Sequence, residues 1–155
     1  MLRRILVPVD FSAASACALA VARDYCPETA LLRLLHVVGA GRLASESATI
    51  HLNPMHTEEI RREAEDAATD KLNAWAEELE EIAVEVGSAA ERISAHADEW
   101  GADMIVMGTS SRSGLSHFLH GSATEWLVRH ARQPVLAVHE VDLTADQRAR
   151  MPTPL

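Results

Sequence analysis

The chain has 155 residues, of which 48% are hydrophobic and 24% charged, and its formal net charge is −9. One soluble globular domain fits this length and composition, and the negative charge argues against a nucleic-acid partner, which would need clustered Lys and Arg. No apolar run approaches the length of about 18 residues that a membrane span needs, and the apolar stretch before Asp10 is too short for a secretory signal. We therefore expect a cytoplasmic protein that contacts neither membranes nor nucleic acid.

Two short apolar runs near the start of the chain, Arg4 to Val9 and Leu31 to Val38, are typical of buried strands. Between them, Ser12 can cap a helix that ends before Pro27. Cys17 lies on the apolar stripe of that helix, so we expect it to be a small buried hydrophobic residue rather than a reactive thiol. This part of the chain therefore predicts one strand-helix-strand unit.

A long helix is predicted to begin at Pro54, after the loop Gly39 to Asn53. Its apolar residues recur every three or four positions as far as Ala76 and Leu79, which is the spacing of an amphipathic helix. The opposite face is strongly acidic, and a solvated surface explains that charge.

Strand and helix patterns go on alternating in the second half of the chain. Strands are predicted over Ile82 to Val86, Met104 to Met107 and Val135 to Val138, and helices over Ala90 to Trp100, with Gly101 as its stop, and around Trp126 to His130. This alternation predicts a mainly parallel sheet with helices on both faces. Because the residues after Glu140 have little to bury, we expect one domain over residues 1–141 and a frayed or partner-dependent tail over residues 142–155.

Two strand ends have chemistry that suits ligand binding. In open parallel sheets, ligands lie beyond the carboxyl ends of the strands, where the winding direction reverses. The first strand ends at Asp10, and the fourth ends at Gly108, which precedes a loop of small polar residues. If these strands are neighbours, Asp10 and Gly108 face each other across a crevice. From Gly108 to Arg132 the only acidic residue is Glu125, so an anionic ligand would be least repelled there.

Gly121 and Ser122 precede a helix, and they allow two interpretations. The exposed backbone N–H groups at a helix start bind phosphate, and a glycine lets those groups approach an anion closely. Ser122 and Glu125 also have the spacing of a capping box, which would satisfy the same N–H groups without a ligand. The local sequence leaves both interpretations open.

Taken together, these segments closely resemble the universal stress protein family. The resemblance covers Met1 to about Val141 and rests on five blocks in the right order: Ile5 to Asp10, Leu35 to Val37, Ala102 to Gly108, the spacing Gly108-x2-Ser111-x9-Gly121-Ser122, and Pro134 to Val138. It implies a doubly wound, open parallel five-stranded sheet in the order 3-2-1-4-5 with helices on both faces. It also implies a homodimer that pairs the last strands, Val135 to His139, edge to edge.

The resemblance further implies a site for ATP or a related adenine nucleotide, with Asp10 available to a Mg²⁺ ion that accompanies it. The residues that match the family's site are, around adenine and ribose, Pro8, Val9, Asp10, Val37, Met107 and Gly108, and along the phosphates, Ser111, Arg112, Gly121, Ser122 and Ala123.

Ser111 departs from the family motif, which usually has glycine at this position. If that glycine serves a positive φ, a serine there costs roughly 1 to 2 kcal/mol and weakens nucleotide binding about ten-fold or more. If it serves only close approach, the serine hydroxyl could instead donate to a phosphate oxygen. Three functions follow: a nucleotide-binding regulatory module of the stress response that acts on an unknown protein partner, a nucleotide-free interaction protein, and, ranked last, a slow ATPase.

Other chemistry has little support in the sequence. His117 and His120 could share a helical face, but no Cys or carboxylate nearby completes a metal-ligand set, so ordinary loop histidines are the simpler interpretation. The chain lacks the G-x-x-x-x-G-K-[ST] and G-x-S-x-G motifs, and we assign no catalytic residue.

Overall fold

Five parallel strands form a single sheet in the computed structural model, which describes residues 2–25, 27, 29–39, 54–109, 123–139 and 143–154. The strands are β1 (Arg4–Pro8), β2 (Leu31–Gly39), β3 (Glu81–Gly87), β4 (Met104–Thr109) and β5 (Val135–His139). They lie in the order β3-β2-β1-β4-β5, which confirms the predicted topology. The middle of β1, Ile5 to Val7, is at most 1% exposed because helices cover the sheet on both faces.

Helices pack on each face of the sheet. They are α1 (Ala13–Tyr25), α2 (Pro54–Trp75), α3 (Ala89–Trp100), α4 (Ala123–His130) and α5 (Ala145–Ala149). On one face, side chains from α1, α2 and the residues that flank α5, Leu143 and Met151, form an apolar cluster with the sheet. On the other face, side chains from α3 and α4 form a second cluster with it. The described residues therefore form the doubly wound fold that the alternating pattern predicts. None of the helices in these ranges is long and apolar enough to cross a membrane.

Local signals in the sequence explain several helix ends. The Ser15 backbone N–H donates to the Ser12 hydroxyl oxygen at 3.3 Å, so Ser12 caps the start of α1 as predicted. Gly101 ends α3 in the left-handed region, with φ of 71°, where glycine avoids the steric penalty of a side chain. Cys17 is fully buried in α1, which confirms its predicted role in the core.

The end of α2 was predicted too far along the chain. The helix ends at Trp75, so Ala76 and Leu79 lie outside it, and Leu79 is 87% exposed. At this end of the helix, the Arg23 guanidinium of α1 donates to the Trp75 carbonyl oxygen at 2.8 Å, so this carbonyl is satisfied without a further helical turn. The same guanidinium also donates to both carboxylate oxygens of Glu80, which stabilises the turn that follows.

The C-terminal segment was wrongly predicted to have little to bury. Leu143 is 8% exposed and joins the core on the α1 face, and Met151 packs against the same cluster. Thr144 and Gln147 form a capping box at the start of α5, since each side chain accepts from the other residue's backbone N–H. Because α5 and the residues around it cover α1, residues 143–151 are part of the packed structure.

Candidate functional site

A cavity of about 760 Å³ opens where β1 and β4 end. These two strands are neighbours in the sheet, with Ile5 opposite Met104 and Leu6 opposite Ile105. The chain winds from β1 toward β3 on one side and from β4 to β5 on the other, so this is the point where the winding direction reverses. The cavity size lies within the range of roughly 300 to 1,000 Å³ that is usual for small-molecule sites.

The cavity brings together seven of the residues that the sequence predicts for the site. They are Pro8, Val9, Asp10, Val37, Met107, Gly108 and Ala123. Asp10 and Gly108 both line it, as expected for neighbouring strands. The remaining four predicted residues, Ser111, Arg112, Gly121 and Ser122, lie outside the described residues, as do the capping-box interpretation of Ser122 and both candidate metal-site histidines.

Further lining residues carry no clear signal in the sequence. They are Ser12, Ala13, Ala14, Ser15, Leu35, His36, Ala89, Ile93, Thr109, Thr124, Glu125 and His139. Most of them lie at a strand end or in the first turn of a helix, so the topology places them here. Once the order of the strands is known, Thr109 and His139 could be expected near the cavity, because they are the last residues of the neighbouring strands β4 and β5.

Gly108 lets α1 lie close to the end of β4. A Cβ atom built on Gly108 would lie 2.1 Å from the Ala14 carbonyl oxygen and 2.8 Å from the Ser15 backbone nitrogen. No side chain fits in that space, so the glycine is required by helix packing as well as by its position on the cavity wall. As a result, the first turn of α1 forms one wall of the cavity.

Asp10 precedes α1, and its carboxylate is held by hydrogen bonds. The Asp10 Oδ1 atom accepts from the Ser12 backbone N–H at 3.1 Å and from the Ser12 hydroxyl. Burial raises the pKa of Asp10, but hydrogen bonds from Ser12 and Ser15 outweigh it, so the pKa lies below its usual value. Asp10 is therefore a carboxylate at neutral pH, an acceptor for hydroxyl groups of a ligand.

His36 connects β2 to the end of β1. Its Nδ1 atom lies 2.8 Å from the Val9 carbonyl oxygen, and since that oxygen can only accept, Nδ1 carries the proton and donates. The imidazole ring also packs against the Phe11 ring, with 4.7 Å between centroids. His36 thereby fixes the backbone just before Asp10.

The sequence from Gly108 to Arg132 has a single acidic residue, Glu125, yet the described basic residues of this segment do not line the cavity. Arg129 lies 2.7 Å from the Glu125 carboxylate and Arg132 lies 3.9 Å from Asp98, so both pair with acids rather than facing the cavity. Among the described lining residues there are two carboxylates, Asp10 and Glu125, and no Lys or Arg. Phosphate groups here would therefore depend on backbone N–H groups, on residues outside the described ranges, or on a cation bound with the ligand.

Comparison with known proteins identifies relatives over most of the chain. The model of the universal stress protein family matches residues 1–139. Universal stress protein MJ0577 of Methanocaldococcus jannaschii is 28% identical over 154 residues, covering 89% of this chain and 95% of its own length. Universal stress protein YxiE of Bacillus subtilis is 31% identical over 147 residues, covering 89% of this chain and 99% of its own length.

Solved structures share the fold. The structure of MJ0577 superposes with a TM-score of 0.73 at 27% identity, covering 90% of this chain and 96% of that one. Two more distant structures contain a nucleotide: a universal stress protein in complex with cAMP, with a TM-score of 0.60 at 23% identity, and an Arabidopsis thaliana family member with AMP bound, with a TM-score of 0.55 at 17% identity. They cover 90% and 94% of this chain, and 98% and 94% of their own chains, respectively. The family match, the YxiE relative and the shared sheet order together show that this chain belongs to the universal stress protein family.

Proposed function

We propose that the chain binds ATP or a related adenine nucleotide in the cavity beyond β1 and β4, and that it acts as a regulatory module of the stress response. The observation that carries this proposal is the meeting of Asp10 and Gly108 at the switch point of the sheet, on the wall of one cavity of ligand size. Ligands of open α/β sheets bind at this place.

The cavity wall offers an apolar surface for a base. Val9, Val37 and Met107 come from three adjacent strands, and Ile93 comes from the first turns of α3. Val9, Ile93 and Met107 are at most 6% exposed, so their positions are fixed by the core. An adenine ring laid against them would remove the contacting face of the base from water, which favours binding.

Asp10 is suited to the ribose. Its carboxylate stays ionised because Ser12 and Ser15 lower its pKa, and a carboxylate can accept hydrogen bonds from both ribose hydroxyls. Its hydrogen bonds with Ser12 also restrict its rotamer, so less side-chain entropy is lost when a ligand binds.

The phosphates would lie toward the first turns of α1 and α4, where Ala13 and Ala123 line the cavity. Backbone N–H groups and the positive end of the helix dipole favour anions at such positions. Since the Asp10 carboxylate lines the cavity and no Lys or Arg is among the described lining residues, we expect a polyphosphate to bind together with Mg²⁺, which would offset the repulsion.

Two family members of the same fold support this choice of ligand, since one was solved with cAMP and another with AMP. We assign no catalytic residue, and binding that changes what a partner contacts is the activity we propose. We also propose a homodimer through β5, because its outer edge pairs with no other strand among the described residues.

Isothermal titration calorimetry with Mg-ATP, ADP and AMP tests the proposed function. We expect binding by the wild-type protein and an affinity about ten-fold weaker for Asp10→Asn, which removes the charge that accepts from the ribose. Asp103→Asn is the matched control, because Asp103 also accepts from backbone N–H groups, those of Arg3 and Arg4, but lies at the opposite end of β4. Its affinity should equal that of the wild type.

The outcome at Ser111 separates the two main alternatives. If the wild type gives no heat at high micromolar nucleotide while Ser111→Gly binds, the protein is a nucleotide-free interaction module whose site is blocked by the serine. If neither protein binds, the cavity is not a nucleotide site and the proposal is wrong.

A further inference from the structure

Phe11 has an unusual backbone conformation directly beside the cavity. Its φ angle is 64°, and it is the one non-glycine residue with a positive φ in the described part of the chain. A bulky side chain rarely adopts this conformation, since its Cβ atom then crowds the backbone. The conformation persists only if surrounding contacts hold it, and such residues cluster at functional sites.

The Phe11 ring is held by contacts with two other elements. It is 6% exposed, and its ring meets the Trp75 ring of α2 edge to face, with 5.3 Å between centroids. The His36 ring of β2 packs on it at 4.7 Å, and the Lys71 Nζ atom of α2 lies 5.5 Å from its centroid. Aromatic pairs and cation–π contacts of this geometry are attractive beyond the area that they bury. The side chain is therefore an anchor that can keep the backbone in an unfavourable conformation.

Asp10 is fixed on both sides by this arrangement. On one side, His36 donates to the Val9 carbonyl oxygen, and on the other, the chain turns at Phe11. The turn brings the Ser12 backbone N–H within 3.1 Å of the Asp10 Oδ1 atom. With an extended conformation at Phe11, the chain would leave β1 in another direction and the Asp10 carboxylate would lose this donor.

We propose that Phe11 is a positioning residue for the ligand site, whose buried ring holds a left-handed turn that aims the Asp10 carboxylate into the cavity. The proposal rests on the proposed function for its ligand, because Asp10 is assigned there to the ribose hydroxyls. Phe11 itself does not line the cavity that Asp10 lines, so its effect on a ligand must pass through the backbone and Asp10.

A purely structural role predicts a different result. If Phe11 only fills the core, replacing it lowers stability but leaves the folded fraction with an intact site. Leu19→Ala provides the matched control for this case, because Leu19 is fully buried in the same apolar cluster and does not line the cavity. Its ligand affinity should stay within about two-fold of wild type once the protein is fully folded.

The first measurement needs no ligand. In the wild type, the amide proton signal of Ser12 should shift as the Asp10 carboxyl is titrated, since the two groups are hydrogen-bonded. In Phe11→Ala, which removes the ring but keeps the Cβ atom that disfavours a positive φ, this response should be lost, while in Leu19→Ala it should remain. If Phe11→Ala does not fold, Phe11→Leu keeps an apolar side chain in the core and should show a reduced response.

The second measurement is a double-variant cycle of nucleotide affinity. We expect Phe11→Ala to weaken binding by about ten-fold, as Asp10→Asn does, and the double variant to bind no more weakly than Asp10→Asn alone. Such non-additivity means that Phe11 acts through Asp10. Affinity losses of the two single variants that multiply in the double variant, or a Phe11→Ala affinity equal to wild type, would overturn the proposal.

The two measurements also separate this inference from the proposed function. If the wild type binds no nucleotide, the proposed function fails, but the Ser12 signal still shows whether Phe11 orients Asp10. If the Ser12 response survives undiminished in both Phe11→Ala and Phe11→Leu, the positioning role is wrong whether or not nucleotide binds.

Discussion

Gly108 lies where α1 comes closest to the end of β4, so its size matters more than its flexibility. An added Cβ would lie 2.1 Å from the backbone carbonyl oxygen of Ala14, which cannot move without displacing the helix. We expect Gly108→Ala to lower the free energy of unfolding by about 1 to 3 kcal/mol, as overpacking does, and to distort the cavity. Urea denaturation measures the first effect.

Gly39→Ala is the control for this prediction. Gly39 also ends a strand, yet a Cβ built on it would meet no atom of the described residues within 4 Å. We expect the urea midpoint of Gly39→Ala to equal that of the wild type or to rise slightly, because alanine restricts the unfolded chain more than glycine does. Equal destabilisation by the two substitutions would show that close approach of α1 is not the reason for glycine at position 108.

Because of Asp10, the free energy of unfolding should depend on pH in the acid range. Its pKa is lower in the folded protein than the ordinary value of 3.8, because hydrogen bonds from Ser12 and Ser15 outweigh burial. A lowered carboxyl pKa stabilises the fold above the unfolded pKa, and this contribution is lost as pH falls through the folded pKa. We therefore expect the stability difference between wild type and Asp10→Asn to be present at neutral pH and to be lost as the pH falls below 3.8 and through the lowered pKa of the folded protein. If the stability difference between the two proteins stayed constant as the pH fell into the acid range, the charge of Asp10 would not contribute to stability.

At the scale of the elements, the C-terminal segment contributes to the core. Leu143 is 8% exposed and packs with the α1 face of the sheet, whereas Leu79 is 87% exposed in the turn after α2. We expect Leu143→Ala to cost about 2 kcal/mol or more, and Leu79→Ala to stay within about 0.5 kcal/mol of wild type. Thermal or urea unfolding of the pair measures this contrast, and an unaffected Leu143→Ala protein would mean that the segment does not pack in solution.

Periodicity predicted the type and order of the elements because each strand and helix has its own apolar pattern. The apolar spacing does not predict the end of α2 at Trp75, where the carbonyl oxygen accepts from Arg23, a residue 52 positions away. The packing of Leu143 was not predicted either, because its partners lie on α1 and the sheet. Both features involve long-range contacts, and a local pattern carries no information on them.

The site was predictable where its residues belong to strand ends. Asp10 and Gly108 follow apolar runs, Val37 was assigned through the family resemblance, and the topology brings the three together. The left-handed conformation of Phe11 has no signal in the sequence, because phenylalanine is among the residues that rarely adopt it. The hydrogen bond from His36 to Val9 likewise depends on the register between β1 and β2.

At the scale of the whole molecule, β5 offers an edge for a second copy. Leu136 is 37% exposed on this strand, and an apolar edge in water favours pairing with another strand. We expect a dimer by analytical ultracentrifugation, and a monomer for Leu136→Lys, because a charged edge residue opposes strand pairing. Leu79→Lys is the control, since Leu79 is 87% exposed just before β3, the strand at the other edge of the sheet, and it should leave the mass unchanged. A wild-type monomer would contradict the proposed dimer without affecting the ligand site.

The location of a bound nucleotide can be measured directly by amide chemical shifts of ¹⁵N-labelled protein during titration with Mg-ATP and with AMP. The cavity beyond β1 and β4 predicts saturable shifts for Val9, Asp10, Val37 and Gly108, which line it. The signals of Gly101 and Asp103 should not shift, because these residues precede β4 and lie at the opposite end of that strand from the cavity. The absence of saturable shifts at millimolar nucleotide, or shifts confined to residues outside the cavity, would contradict a nucleotide site at the switch point.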